Sequence, residues 1–316
     1  MKRRLAVLPI ILATSLFITV PFVHSQKLAG SNRPAAVPEG YVITPFGYFH
    51  PSCVREIASG DTVLADGRVQ HADGMVDAEA PVCAYSHYAA SDEKASAGVK
   101  QPAISHSWIA SANAINTIAP FGKLTADWVV PPAPASDDGQ TVFFFPGMED
   151  YVTNETIIQP VLGWNAGFFG TNWSIASWNC CPSGTANFST PVQVNAGDTI
   201  HGTIKSMCQA GTKYCSKWNI TTEDETIGKG TTLSKTPSEG QVFTWAQGGA
   251  LEVYGITKCS DYPPDGSLAF TNLALYDYNF KKYSDPAWIL FNYSFGLTPQ
   301  CSYGGTMSAT KVRLHY

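Results

Sequence analysis

From residue 101 onward the chain is a succession of short apolar or alternating runs with turn signals between them. Residues 142–145 form a continuous apolar run closed by Pro146-Gly147, the pattern of a buried strand ending in a turn. The run 156–164 alternates instead, setting Ile157, Gln159, Val161 and Gly163 on one face and Ile158, Pro160, Leu162 and Trp164 on the other. Further strand patterns fall at 107–112, 124–130, 173–178, 192–194, 199–205, 217–222, 241–245, 251–256, 268–275 and 311–314. Asn195-Ala196-Gly197-Asp198 and Asp137-Asp138-Gly139 read as turns, because Gly and Asx residues supply the backbone angles a turn needs. No long segment has a helical period, and neither a repeat nor a heptad is present. Many short strands with turns between them predict an all-β chain of two packed antiparallel sheets, a β-sandwich over residues 101–316.

The first hundred residues are organised differently. Lys2, Arg3 and Arg4 precede an apolar run over 5–20, so residues 1–25 read as a secretory signal peptide cut before Gln26. A retained membrane anchor is the alternative, opposed by the shortness of the run and the polar chain that follows at once. Residues 26–39 are polar and contain proline. Residues 40–85 form a compact block of short alternating runs bounded by Gly, Pro and Asp, and 89–100 is a small, charged linker. A block of this size is marginal as an independent fold. Residues 26–100 are therefore expected to be a small β-rich N-terminal segment that is either a propeptide or a permanent addition to the main body.

Composition narrows the compartment and the partners. Charged residues make up 14% of the chain against the usual quarter or so, and the formal net charge is −5. Loss of the three leader cations makes it more negative, which argues against a nucleic-acid or anionic-membrane partner. Eight cysteines, all beyond the leader, fit an oxidising, extracellular setting. Pairing Cys53 with Cys83, Cys208 with Cys215 and Cys259 with Cys301 keeps each bridge inside one segment. The neighbours Cys180 and Cys181 are left either bridged to each other or reduced. No metal site is expected, since paired CxxC units are absent and His50, His71, His87, His106, His201 and His315 are scattered.

The chemistry is harder to place. There is no G-x-S-x-G elbow, no H-E-x-x-H and no glycine-rich phosphate loop after a strand, and no cofactor is expected. Gln159 stands out as a neutral amide among apolar neighbours, either a core glutamine satisfied by nearby backbone or half of a site whose partner lies elsewhere. Residues 251–253 read as a strand with Ala250, Glu252 and Tyr254 on one face, where Glu252 is either a solvated strand residue or a carboxyl whose pKa a partly dry face would raise.

The order of several blocks carries a resemblance. Ser107-Trp108, Phe121, residues 126–131 (ADWVVP), residues 145–149 (FPGME), Ile157-Ile158-Gln159, Ala176-Ser177-Trp178 with Pro182, residues 194–200 (VNAGDTI), Ala250-Leu251-Glu252 and residues 268–272 (LAFTN) resemble the successive blocks of the glutamic peptidases of the eqolisin type, over about 105–275. The resemblance implies a concanavalin-like antiparallel β-sandwich and a secreted, acid-acting endopeptidase made with a propeptide. Its catalytic pair is one Gln and one Glu, which fall on Gln159 and Glu252. The pairing makes chemical sense: a carboxyl serves as base and then acid, while a carboxamide holds the water and donates to the oxyanion.

Departures from that pattern are specific. Where the family has a Trp three residues before the Glu, this chain has Gly249, with the nearest Trp at Trp245; Gly163 and Ser177 stand where two acidic residues are expected. Glu149 is the alternative carboxylate, and the more remotely similar neprosin-like prolyl peptidases, with a two-glutamate site, would use it as the second one. Trp164, Trp173, Trp178 and Trp245 are expected to line the substrate groove. The expectation is a monomeric enzyme acting on protein or peptide substrates. A non-catalytic carbohydrate- or wall-binding sandwich is the rival, since the same architecture serves lectins and exposed aromatics stack on sugars.

Overall fold

A computed structural model describes residues 33–34, 36–78, 83–88, 94–95, 108–153, 156–166, 172–180 and 183–316. The leader and most of the linker expected at 89–100 lie outside these residues. In the N-terminal part the strands are β1 Val42–Thr44, β2 Gly47–Phe49, β3 Val54–Ile57, β4 Thr62–Val63, β5 Val69–Gln70, β6 His87–Tyr88 and β7 Lys94–Ala95. The main body runs β8 Trp108–Ile115, β9 Phe121–Val129, β10 Thr141–Glu149, β11 Ile157–Trp164, β12 Trp173–Cys180, β13 Ala186–Ser189, β14 Val192–Gln193 and β15 Thr199–Ser206. It continues with β16 Lys217–Asp224, β17 Lys229–Pro237, β18 Trp245–Tyr254, β19 Ser267–Asp277, β20 Ile289–Asn292, β21 Gly304–Ser308 and β22 Lys311–His315.

Two large sheets result. The first has the order β20-β8-β18-β10-β11-β12-β13-β3, with β14 paired to β12, and the second has the order β17-β16-β15-β9-β19-β22-β21. Between them, Phe144, Met148, Ile158, Leu162, Ile175 and Leu251 of the first sheet meet Trp128, Ile200, Ile204, Ile220 and Phe270 of the second in one buried cluster. The chain is an antiparallel β-sandwich, as its pattern predicts. Period-two alternation is the cause: each strand of the first sheet sends every other side chain into this core and the remainder to the far face.

That far face is not open to solvent. Phe143, Phe145, Ile157, Val161, Ala176, Trp178, Phe188, Ala250 and Tyr254 of the sheet form a second buried cluster with Val37, Tyr41, Ile43, Tyr48, Phe49 and Cys53 of the N-terminal part. The β1–β2 hairpin lies on the face, while β3 extends the sheet edge by pairing parallel to β13 from Ala186↔Val54 to Ser189↔Ile57. Arg55 on β3 ties this edge down, donating from Nε to Asn187 Oδ1 at 3.0 Å and from Nη1 to Gly67 O at 2.8 Å.

The covalent frame matches the expected pairing, with Cα–Cα distances of 5.3 Å for Cys53–Cys83, 5.6 Å for Cys208–Cys215 and 5.6 Å for Cys259–Cys301. Cys180 is also disulfide-bonded, which removes the reduced alternative for it; Cys181 lies outside the described residues. Strand β17 escaped the pattern because it is a polar, Thr-rich outer strand whose middle sends only Leu233 into the core. Among the described residues no helix is long and apolar enough to cross a membrane.

Candidate active site

Strands β18, β10 and β11 lie side by side and carry the candidate residues on the face covered by the N-terminal hairpin. Gln159 falls between Ile157 and Val161, both in the covered cluster, so alternation puts its carboxamide on that face. On β18 the register slips between Gln247 and Gly249, and this bulge keeps Gln247 on the same face as Ala250, Glu252 and Tyr254. On β10 the alternation is unbroken, because the extra residue of the bulge lies on β18, so Phe144 and Met148 enter the inter-sheet core and Glu149 falls on the covered face with Phe143 and Phe145. Gln159, Gln247 and Glu252 are fully buried and Glu149 is 2% exposed.

Their hydrogen bonds are few and directional. Gln159 Nε2 donates to the carbonyl oxygen of Pro45, at the tip of the β1–β2 hairpin, at 2.8 Å. Gln247 Nε2 donates to Glu149 Oε1 at 2.9 Å, and the hydroxyl of Tyr254 donates to Glu252 Oε1 at 2.5 Å. Tyr254 meets Tyr48 of the hairpin edge to face, with centroids 5.2 Å apart. The Oε1 atoms of Gln159 and Gln247 accept from no described residue.

Strand register gives the layout. Gln247 faces Gly147, and the pairs Phe144↔Leu162 and Met148↔Ile158 set Gln159 beside Gly147 on its other side. Glu252 faces Phe143, four residues along β10 from Gly147, or about 13 Å at the usual strand rise. Glu149 lies two residues the other way, about 7 Å. The row Gln247–Gly147–Gln159 is thus flanked by a carboxyl at each end. Burial pushes the Glu149 carboxyl up to about 8, the charge of Glu252 adds to that, and the Gln247 hydrogen bond opposes it. Burial also pushes the Tyr293 hydroxyl up to about 12, with the charge of Glu149 contributing.

The expected groove residues divide. Trp178 packs in the covered cluster, stacked on Phe188 at 4.8 Å, and Trp245 donates from Nε1 to Asn113 Oδ1 at 2.7 Å beside Glu149. Trp164 and Trp173 do not line this face: both lie in the inter-sheet core, with centroids 5.3 Å apart. Alternation explains the correction, since Trp164 shares its side of β11 with Ile158 and Leu162 and Trp173 shares its side of β12 with Ile175. Ser177 also faces inward, within 2.9 Å of Thr222 Oγ1.

Gly249 has a clear packing reason. A Cβ there would lie 2.2 Å from Phe270 Cδ2, so the space that a tryptophan would need is filled by a ring of the opposite sheet. The residues to which the sequence gives no role are Gln247, Gly147 and Asn113, while Tyr254 shares the Glu252 face by alternation alone. Gln247 had a signal, as a second neutral amide in an apolar run, WAQGGALEV, but the bulge at the glycines hid which face it takes. Among the described residues no group of three or more His, Cys, Asp or Glu is arranged to hold a metal ion.

No protein-family model matches the chain, and no curated protein matches it. Solved structures do. A scytalido-glutamic peptidase with a peptide-based transition-state analogue is 17% identical, covering 66% of this chain and 98% of its own, at a TM-score of 0.47. The aspergilloglutamic peptidase from Aspergillus niger is 16% identical over 56% of this chain and 98% of its own, at 0.38. A toad ovary galectin in complex with thio-digalactose is 11% identical over 53% and 98%, at 0.29. The likeness to the glutamic peptidases is distant.

Proposed function

We propose that this chain is a secreted, acid-acting endopeptidase of the glutamine–glutamate kind, held latent by its own N-terminal segment. The observation that carries the reading is the hydrogen bond from Gln159 Nε2 to the Pro45 carbonyl, on a face where two buried carboxyls, Glu149 and Glu252, feel each other's charge. A carboxamide that already holds a peptide carbonyl is equipped to donate to the oxyanion formed from a substrate carbonyl. The Glu149 carboxyl, whose pKa burial raises, stays protonated and can serve as the acid, and Glu252 is assigned the base.

The steps balance without a cofactor. In this reading the Glu252 carboxylate, which register sets about 13 Å along the sheet from the Gln159 row, must swing toward it to take a proton from the water whose oxygen bonds to the substrate carbonyl carbon, and the resulting oxyanion accepts from Gln159 Nε2. Glu149 gives its proton to the nitrogen as the C–N bond breaks, and the proton on Glu252 then returns the pair to its starting state. While the hairpin remains on the face, its Pro45 carbonyl occupies the donor. Activity therefore requires cleavage or displacement of residues 26–100, with nicking expected within 89–100. The disulfides and the leader pattern support export. The sugar-binding alternative needs exposed aromatic faces, and it is weakened by the burial of Trp164 and Trp173 between the sheets and of Trp178 and Trp245 at 1% exposure each.

The test is Glu252→Gln in acid-incubated protein. Hydrolysis of an unfolded protein substrate should fall by about 10²–10⁴-fold with the fold intact, as for a lost general base. Activity that survives this change but is lost in Glu149→Gln would move the base to Glu149. A parent protein inert across acid pH, yet retained on a polysaccharide column, would replace the peptidase reading with the binding one. Full activity with an intact Gln26 terminus would end the latency idea alone.

A further inference from the structure

On the covered face Gly147 has a carboxamide on each side and the Ile157 side chain leaning over it, its Cδ1 3.2 Å from where a Cβ would lie. Gln159 presents a donor there, already engaged with a backbone carbonyl. Gln247 presents an acceptor. A methyl group at Gly147 would lie 2.8 Å from Gln247 Oε1, so this oxygen leans over the glycine, and it is buried without a described donor. The nitrogen of the same carboxamide is committed to Glu149 at 2.9 Å. A trans peptide carries its C=O and N–H on opposite edges of one plane. One donor and one acceptor on the two sides of a residue without a side chain are what a single peptide unit requires, and the Ile157 side chain turns aside when that unit lies over Gly147.

We infer that Gln247 receives the N–H of the scissile peptide while Gln159 receives its carbonyl oxygen, so that the enzyme selects against bonds whose nitrogen carries no hydrogen. This inference rests on the peptidase reading and adds to it a residue and a specificity. Gln247 has two tasks. Its Oε1 orients the leaving nitrogen by accepting the N–H, and its Nε2 holds Glu149 where that carboxyl can protonate the same nitrogen when the C–N bond breaks. The amine that departs takes one proton from Glu149 and keeps the one it had. Gly147 lets the peptide plane approach, since a Cβ there would press on both the Gln247 carboxamide and the Ile157 side chain. A bond preceding proline has no N–H, leaves Gln247 Oε1 without its donor, and should be poorly cleaved.

The experiment uses the full chain after acid incubation and three matched peptides that differ only at the cleaved bond: an ordinary amide, its N-methyl form and its ester. No variant is needed for the first comparison, in which the N-methyl peptide should be cleaved about 10²-fold more slowly than the amide, in kcat more than in KM. Gln247→Ala should lower kcat on the amide by a similar factor and on the ester by much less, because the ester has no N–H to lose. Gly147→Ala should reproduce this pattern. Removing the donor from Glu149 should also move the alkaline limb of the Gln247→Ala pH profile upward. Equal losses on amide and ester, or an N-methyl peptide cleaved as fast as the amide, would overturn the inference while Glu252→Gln and Gln159→Ala could still uphold the peptidase. A chain inert on all three peptides, with those two variants also without effect, would sink both.

Discussion

The two faces of the β20–β3 sheet are built from the same strands by the same alternation, yet they hold different things. The face toward the second sheet packs Phe144, Met148, Ile158, Leu162 and Leu251 against Trp128, Ile200 and Phe270. The other face also buries rings under the N-terminal hairpin, but is interrupted by Gln159, Gln247, Glu149 and Glu252. Burial of a carboxyl or an incompletely bonded amide costs free energy that an apolar residue would not, so these positions are expensive for folding. The first face is organised for stability, and the second gives some stability up to hold buried polar and acidic groups.

Acidity should separate the faces most strongly. Glu149 has a folded pKa raised to about 8, so the protonated, folded form is favoured at low pH and its stabilisation is lost as pH rises from the ordinary carboxyl value through about 8. Burial raises Asp224 and Glu239 in the same direction. Thermal unfolding at a series of pH values should show stability falling by roughly 4 kcal/mol between pH 5 and pH 8 from Glu149 alone. Glu149→Gln should remove that part of the slope; an unchanged slope would show that the carboxyl titrates normally.

Next in size is the covalent frame, which serves the walls and not the polar row. Replacing Cys259 and Cys301 by Ser opens a loop of separation 42 and should cost roughly 3 to 4 kcal/mol, read as a lower melting temperature with the pH profile of activity unchanged. Peptide mapping that found both thiols free in the native protein would contradict the bridge itself.

On the inter-sheet face, Phe270→Ala should cost about 3 kcal/mol by chemical denaturation, from the cavity left under Gly249 and beside Trp128. Turnover per folded molecule should be little altered. The smallest effect is expected where the comparison is sharpest: Gln159→Leu removes a buried amide whose oxygen has no described donor, and should change stability by only about 1 kcal/mol in either direction while most hydrolysis disappears. Large destabilisation with activity retained would show Gln159 to be an ordinary core glutamine.

Alternation along β11 and β18 already separated Gln159 and Glu252 from the core-facing residues, because a strand's period is two whatever its neighbours are. The three bridges within single segments and the turns at Gly139 and Gly197, both at positive φ, were legible for equally local reasons. Tertiary structure alone decided the rest. That β10 runs between β11 and β18, placing Gly147 between two carboxamides, depends on pairing between distant segments that no local pattern encodes. The bulge that turns Gln247 onto the covered face arises from the register of β18 against β8. The cover over Gln159 comes from a hairpin about a hundred residues earlier in the chain, whose place over the sheet is set by the fit of Tyr48 and Phe49 to rings it meets only in the folded molecule.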